Sequence, residues 1–214
     1  MARAWSASHG RRCHAGASLR LGFHLEAGMK VGLYGGSFDP PHEGHAHVAR
    51  AALRRLALDR VIWLVSPQNP LKSQRASAPL HSRLAMSQLF AIGPSMMASA
   101  AESRLGSRFT VDTVLRFRAR FPKVHFVWIM GADSLAAFHT WRNWRTIMAA
   151  VPIAIVSRPG HALKSLFSPA TKVFSRGRLP ASAARRLSLT PPPAWIYFSE
   201  PLKFASSTTL RNRR

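Results

Sequence analysis

Gly35-Gly36-Ser37-Phe38-Asp39-Pro40-Pro41-His42-Glu43-Gly44-His45 follows directly on the apolar run Lys30-Val31-Gly32-Leu33-Tyr34. A short apolar run that ends in glycines and gives way to helical periodicity reads as a buried parallel strand turning into a helix. Gly35 and Gly36 carry no side chains, so their N–H groups can approach an anion closely. A helix opening near Gly44 aims its positive end at the same place. The loop is therefore expected to cradle phosphate. His42 and His45, three apart, lie on one side of the turn entering that helix, where imidazoles can donate to phosphate oxygens. Packing or a zinc pair would also suit this spacing; without a further cysteine or a third histidine at ligand spacing, no metal site is expected.

Outward from this loop, short apolar runs alternate with stretches of helical period, a parallel α/β pattern. Strands are expected at Lys30 to Tyr34, Arg60 to Ser66, Met96 to Ala101, Val124 to Met130, Val151 to Val156 and Trp195 to Phe198. Helices are expected at Gly44 to Ala57, Pro79 to Ile92, Thr110 to Phe121, Ser134 to Phe138, Arg142 to Ala149 and from Ser207 onwards. The segment Arg158 to Pro193, rich in Ser, Pro and Arg, reads as a long surface excursion. In an open parallel sheet, ligands bind beyond the carboxyl ends of the strands, which is where the glycine loop falls.

The chain has 214 residues, 47% of them hydrophobic, enough for one domain with a buried core. Its 31 Lys and Arg against 8 acids give +23, so anionic partners are drawn in from a distance. Nucleic acid is one such partner; an arginine-rich composition without functional meaning is the other reading. The lone Cys13 excludes an internal disulfide and fits a reducing compartment, the cytoplasm. No apolar run approaches the roughly 18 residues a membrane span requires. Residues 1–28 hold Arg3, Arg11, Arg12 and Arg20 against Glu26 and show no clean period. They are expected to be a disordered or mis-assigned extension, or an organelle-targeting segment, with the folded domain spanning 29–214 and nothing that folds lost by a start at Met29.

The His42-x-Gly44-His45 string resembles the H-x-G-H signature of the nucleotidylyltransferase superfamily. Within it, the chain from Met29 onward is most similar to bacterial nicotinate mononucleotide adenylyltransferases. A second element, Ser206-Ser207-Thr208-Thr209-Leu210-Arg211, resembles the superfamily's S-S-T-x-[IVL]-R motif. The resemblance implies an α/β fold with a single-domain, Rossmann-like doubly wound parallel sheet. It implies transfer of AMP from ATP to nicotinate mononucleotide, giving deamido-NAD and pyrophosphate. Other acceptors, nicotinamide mononucleotide or phosphopantetheine, remain open within the class, and a basic nucleic-acid-binding module remains open outside it; nucleic acid is not the expected partner. The expected Mg²⁺ travels on the triphosphate.

The same resemblance implies roles for named residues. His42, His45, Lys72 and Arg211 would be catalytic. Gly35, Gly36, Ser37, Phe38, Gly44, Gly131, Asp133, Ser134, Ser206, Ser207 and Thr208 would bind ATP, with Asp133 on the adenosine side. Asp39, Arg83, Thr110, Trp141 and Arg158 would bind nicotinate mononucleotide, Trp141 as a stacking platform and the amides near Thr110 as partners of the nicotinate carboxylate. Core packing is the alternative for Trp141, and a plain helix cap for Thr110. Two departures from the family pattern stand out: Phe109 replaces a tyrosine, and Leu71 stands where many relatives have histidine before Lys72.

Overall fold

The computed structural model describes residues 21–67, 77–157 and 166–200. Within them the six expected strands form, as do the five expected helices, with ends displaced by at most two residues. In chain order the strands and α-helices are β1 (Lys30–Gly36), α1 (Glu43–Arg55), β2 (Arg60–Val65), α2 (Leu80–Phe90), β3 (Met96–Ser99), α3 (Ala101–Arg104), α4 (Thr110–Arg120), β4 (His125–Gly131), α5 (Ala132–Ala137), α6 (Trp144–Ala150), β5 (Ile153–Ser157), α7 (Pro169–Val173), β6 (Arg178–Leu179) and β7 (Trp195–Ser199), of which α3, α7 and β6 were not expected. The helix expected from Ser207 lies outside the described residues. None of the described helices is long and apolar enough to cross a membrane.

All strand pairs are parallel, in the order β3-β2-β1-β4-β5-β7-β6. The order runs outward in both directions from β1 and β4, which places a topological switch point between them. Strand alternation assigns the two faces. Val61, Trp63 and Val65 of β2 and Val127 and Ile129 of β4 pack with α1 on one side. Ile62 and Leu64, with Phe126, Trp128 and Met130, pack with α4, α5 and α6 on the other. The apolar face of α1 is made of small residues, Ala46, Val48, Ala49, Ala51 and Ala52, all fully buried. Short side chains there let the helix lie close to the sheet and hold its first turn against the end of β1.

Three expectations change. Ala101 does not end a strand; it opens α3, a single turn too short to leave a period in sequence. The stretch read as a surface excursion is, from residue 166, part of the packed body: it supplies α7, the edge strand β6 and a 3₁₀ segment Ala181–Leu189, and buries Ala170, Thr171, Ala184 and Leu187. Its Ser-, Pro- and Arg-rich composition describes the exposed positions and hides the few apolar residues that dock.

The third concerns residues 21–28. Leu21 and Leu25 are buried in the core beneath α4, and the Phe23 ring stacks on Phe117 at 6.2 Å. Gly28 donates its N–H to the Lys123 carbonyl at 2.7 Å, and Arg60 donates to the carbonyl of His24 at 2.9 Å. The expectation that nothing before Met29 folds is therefore corrected for these residues. Burying a leucine contributes about 1.5–3 kcal/mol, against about 1–2 kcal/mol per ordered residue. A chain beginning at Met29 should consequently fold but unfold at lower urea, with a loss of about 1–3 kcal/mol; an unchanged midpoint would show that residues 21–28 contribute nothing.

Candidate active site

At the switch point β1 ends in Gly35-Gly36 and β4 ends in Gly131, and the helices that follow them pack on opposite faces of the sheet. This leaves a crevice between the two carboxyl ends. Gly35 has a packing reason to lack a side chain, because a Cβ there would strike the Trp128 indole on β4. The bare backbone expected to face an anion is thus also required by the core.

His42 is the N-cap of α1, with extended backbone at φ −154° and ψ 169°. Its Nδ1 accepts the Gly44 N–H at 3.0 Å, and the His42 N–H in turn donates to Nδ1 of His45 at 3.2 Å. The two imidazoles form a reciprocal capping box, a role usually taken by Ser or Thr with Glu. Their rings lie 3.9 Å apart and 31° from parallel. Because each Nδ1 accepts from the main chain, the neutral tautomer of both rings carries its proton on Nε2, a hydrogen-bond donor. Phe38 fixes the loop from below: it stacks on Trp63 at 5.1 Å, meets His45 edge-on at 5.0 Å and holds a positive φ of 45°. That conformation costs a non-glycine residue of order 1–3 kcal/mol, offset here by burial of its ring.

The resemblance implies acceptor contacts for Arg83 and Asp39; the structure places both in the brace of the loop. Arg83, 3% exposed, donates to four carbonyls: Ser37 at 2.6 Å, Ala78 at 2.8 Å, Ser66 at 2.9 Å and Pro67 at 3.1 Å. Asp39 accepts from the Ala78 N–H at 3.4 Å. Burial lowers the Arg83 pKa from its ordinary value, and the Asp39 carboxylate works against that shift. A single guanidinium thereby ties the glycine loop, the end of β2 and the start of α2 together.

Across the crevice, Gly131 caps α5, and the exposed Asp133 carboxylate lies over it so closely that a Cβ at Gly131 would meet its Oδ1. Ser134 is half-buried beside it. Trp141 packs edge-on against Phe138 at 5.2 Å and Trp128 at 6.5 Å yet stays partly exposed, while Trp144 is the core tryptophan. Thr110 is the first residue of α4, not its cap; Phe109 holds the cap position and makes no side-chain capping bond. The plain-cap reading of Thr110 is thus corrected. The Phe109 ring, where the family has a tyrosine, carries the Arg142 guanidinium 4.6 Å from its centroid. Lys72, Arg158, Ser206, Ser207, Thr208 and Arg211 lie outside the described residues, as does Leu71.

One cluster was not anticipated. Glu102 on α3, 6% exposed, accepts a hydrogen bond from the fully buried Thr113 hydroxyl at 3.0 Å, and Ser107 pairs with that hydroxyl at 2.7 Å. Desolvation pushes the Glu102 carboxyl up to about 7, with hydrogen bonds from Thr113 and Ser66 pulling the other way. Nothing in the sequence marks Glu102 beyond its being one of few acids.

A model of the cytidylyltransferase-like family matches residues 33–213. A probable nicotinate-nucleotide adenylyltransferase of Caulobacter sp. is 58% identical over 87% of this chain and 98% of its own length. One of Roseobacter denitrificans is 45% identical over 91% and 98%. The chain belongs to the nicotinate-nucleotide adenylyltransferases of the cytidylyltransferase-like family. Among solved structures, this member of the family is similar to Plasmodium falciparum nicotinic acid mononucleotide adenylyltransferase in complex with APC, with TM-score 0.63, 16% identity and 86% and 83% of the two chains covered. The same enzyme complexed with NaAD gives 0.61 at 17% identity. These likenesses bear on the fold, which they share.

The Glu102 carboxyl generates a pH dependence. Its folded pKa of about 7 lies above its ordinary value of 4.5, so the native state binds more protons between these values. The stability this contributes is complete below pH 4.5 and lost as pH rises through 7. Glu102→Gln should remove that slope: its melting temperature relative to the natural protein should rise between pH 5 and pH 8, for a gain of order 3 kcal/mol at most. Thermal unfolding at both pH values measures this, and parallel curves would contradict it.

Proposed function

We infer that this chain transfers AMP from ATP to nicotinate mononucleotide, releasing pyrophosphate and forming deamido-NAD. The reading is carried by the pair of imidazoles fixed as Nε2 donors at the N-terminus of α1, beside the bare Gly35-Gly36 backbone. It is supported by the 45–58% identity to nicotinate-nucleotide adenylyltransferases. The cytoplasm is the compartment that goes with it.

The acceptor's phosphate oxygen attacks the α-phosphorus in line, the bond to the bridging oxygen breaks, and pyrophosphate departs with the electron pair. The attacking phosphate is already anionic, so a general base has little to contribute. Rate enhancement comes from alignment and from stabilising charge on the equatorial and leaving oxygens. His42 and His45 would donate to α- and β-phosphate oxygens, with His45, the less buried, nearest the developing charge. The positive end of α1 adds to the same field. Lys72 and Arg211 would pair with the β- and γ-phosphates, and Ser206, Ser207 and Thr208 would supply further donors, while Gly44, whose N–H goes to His42, would leave room for the phosphate to approach. Asp133 and Ser134 at the end of β4 suit the adenosine ribose. Mg²⁺ would enter on the triphosphate: among the described residues no three His, Cys, Asp or Glu side chains cluster as a cage for it, and phosphate and water oxygens suffice as ligands.

On the acceptor side, Trp141 offers a part-exposed ring face against which a pyridine ring would stack. At the start of α4 the N–H groups of Thr110 and Val111 come before those of Asp112 and Thr113, which already bond the Phe109 carbonyl, and they would read a nicotinate carboxylate but not a neutral amide. Arg158 would meet the acceptor's phosphate. The strong net positive charge draws both substrates in; nucleic-acid binding needs no place in this account.

Incubation with ATP, Mg²⁺ and nicotinate mononucleotide should release pyrophosphate, and replacement of the acceptor by nicotinamide mononucleotide should slow it; a folded sample that releases none refutes the reading. His45→Ala should lower kcat about 100-fold or more. His42→Ala should do the same and also cost about 1 kcal/mol of stability through the lost cap. Near-normal turnover in His45→Ala would remove that residue from catalysis.

A further inference from the structure

We propose that Glu102 is a positioning residue for the acceptor, holding the opening turn of α4 in register with the phosphate loop across the carboxyl ends of β1, β2 and β3. The inference rests on the reading of α4 as the place where the acceptor's carboxylate is recognised.

The connection is continuous, and buried at Arg83, Glu102, Ser107 and Thr113. Glu102 follows β3, on the edge side of the crevice. Through the Thr113 hydroxyl at 3.0 Å it grips the first turn of α4, and the same hydroxyl lies 3.4 Å from the carbonyl of Phe109, the residue that caps that helix. Ser107 closes the other side of Thr113 at 2.7 Å, and its N–H donates to the Glu102 carbonyl at 3.0 Å. The Ser66 side chain reaches the Glu102 carboxyl from the end of β2. The carbonyl of Ser66 is one of the four that Arg83 holds, and Ser37 of the phosphate loop is another. The path therefore runs from Ser37 through Arg83, Ser66 and Glu102 to Thr113, linking the loop that holds one substrate to the helix end that reads the other.

Thr113, Ser107 and Glu102 are 0%, 2% and 6% exposed, so water does not stand in for a missing partner. Nothing in this path touches the triphosphate through Glu102 itself. Loss of the carboxyl releases the α4 end and leaves the phosphate loop under its Arg83 brace. The consequence is selective: acceptor binding weakens while ATP binding does not.

Steady-state kinetics of the full chain with ATP and nicotinate mononucleotide test this. Glu102→Ala should raise the KM for nicotinate mononucleotide about tenfold or more while the KM for ATP stays within about threefold. Glu102→Gln keeps an acceptor oxygen for Thr113 and should restore both constants to within about threefold of the natural protein. Thr113→Val, equal in shape but without the hydroxyl, should reproduce the acceptor effect and carries the test if Glu102→Ala does not fold. A Glu102→Ala or Thr113→Val protein whose two KM values are unchanged or rise together overturns the proposal, as does a Glu102→Gln protein as impaired as Glu102→Ala. Failure of the underlying function appears separately, as absence of turnover by the natural protein, and the proposal then falls with it.

Discussion

At the first turn of α1 the main chain donates to the Nδ1 atoms of two histidines, and the rest of the site depends on the geometry this produces. Capping satisfies N–H groups that a helix start would otherwise leave open. Serine or aspartate would do so as well, but imidazole has a second nitrogen on its far edge. Each ring is held through Nδ1, which leaves the ring proton on Nε2. The hydrogen bonds that begin the helix therefore also decide where the protons on Nε2 point, with no extra residue needed to orient the rings.

Such a cap is useful only if the loop before it cannot drift. Phe38 accepts a left-handed backbone because its ring is clamped between Tyr34 and Trp63, and Arg83 gathers carbonyls from three separate segments behind it. An arginine buried this deeply is costly unless its donors are met, and main-chain oxygens meet them. The crevice is thus rigid on the side where phosphate charge would be handled. On the opposite side, Asp133 and the partly exposed ring of Trp141 stand at the ends of short helical turns, suited to holding ligands that arrive and leave.

Much of this was legible beforehand. Runs such as Arg60 to Val65 and His125 to Gly131 are apolar on both faces, and only a strand covered by helices on each side has that requirement. The glycine loop and its histidines pointed to a candidate site because few demands place Gly, Gly, His and His at those intervals, and the structure brings them together at the end of β1. Elements shorter than a period escaped notice: one turn at Ala101–Arg104 and two residues at Arg178–Leu179 leave no repeating pattern to detect. Residues 21–28 also escaped, since three apolar residues alternating with Gly22 and His24 are too short a pattern to announce a docking segment.

The sequence by itself determined the fold class and the strand and helix spans, and it singled out the glycine loop as the candidate site, because these follow from local periodicity and from residue types with narrow chemical uses. Only the tertiary structure decided what each polar side chain does once the chain closes. Arg83, expected at the acceptor, and Glu102, unmarked in the sequence, are both buried and tie together segments distant in the chain. Their roles depend on which carbonyls and hydroxyls reach them across the ends of neighbouring strands, and strand adjacency is a property of the assembled sheet that no local pattern encodes.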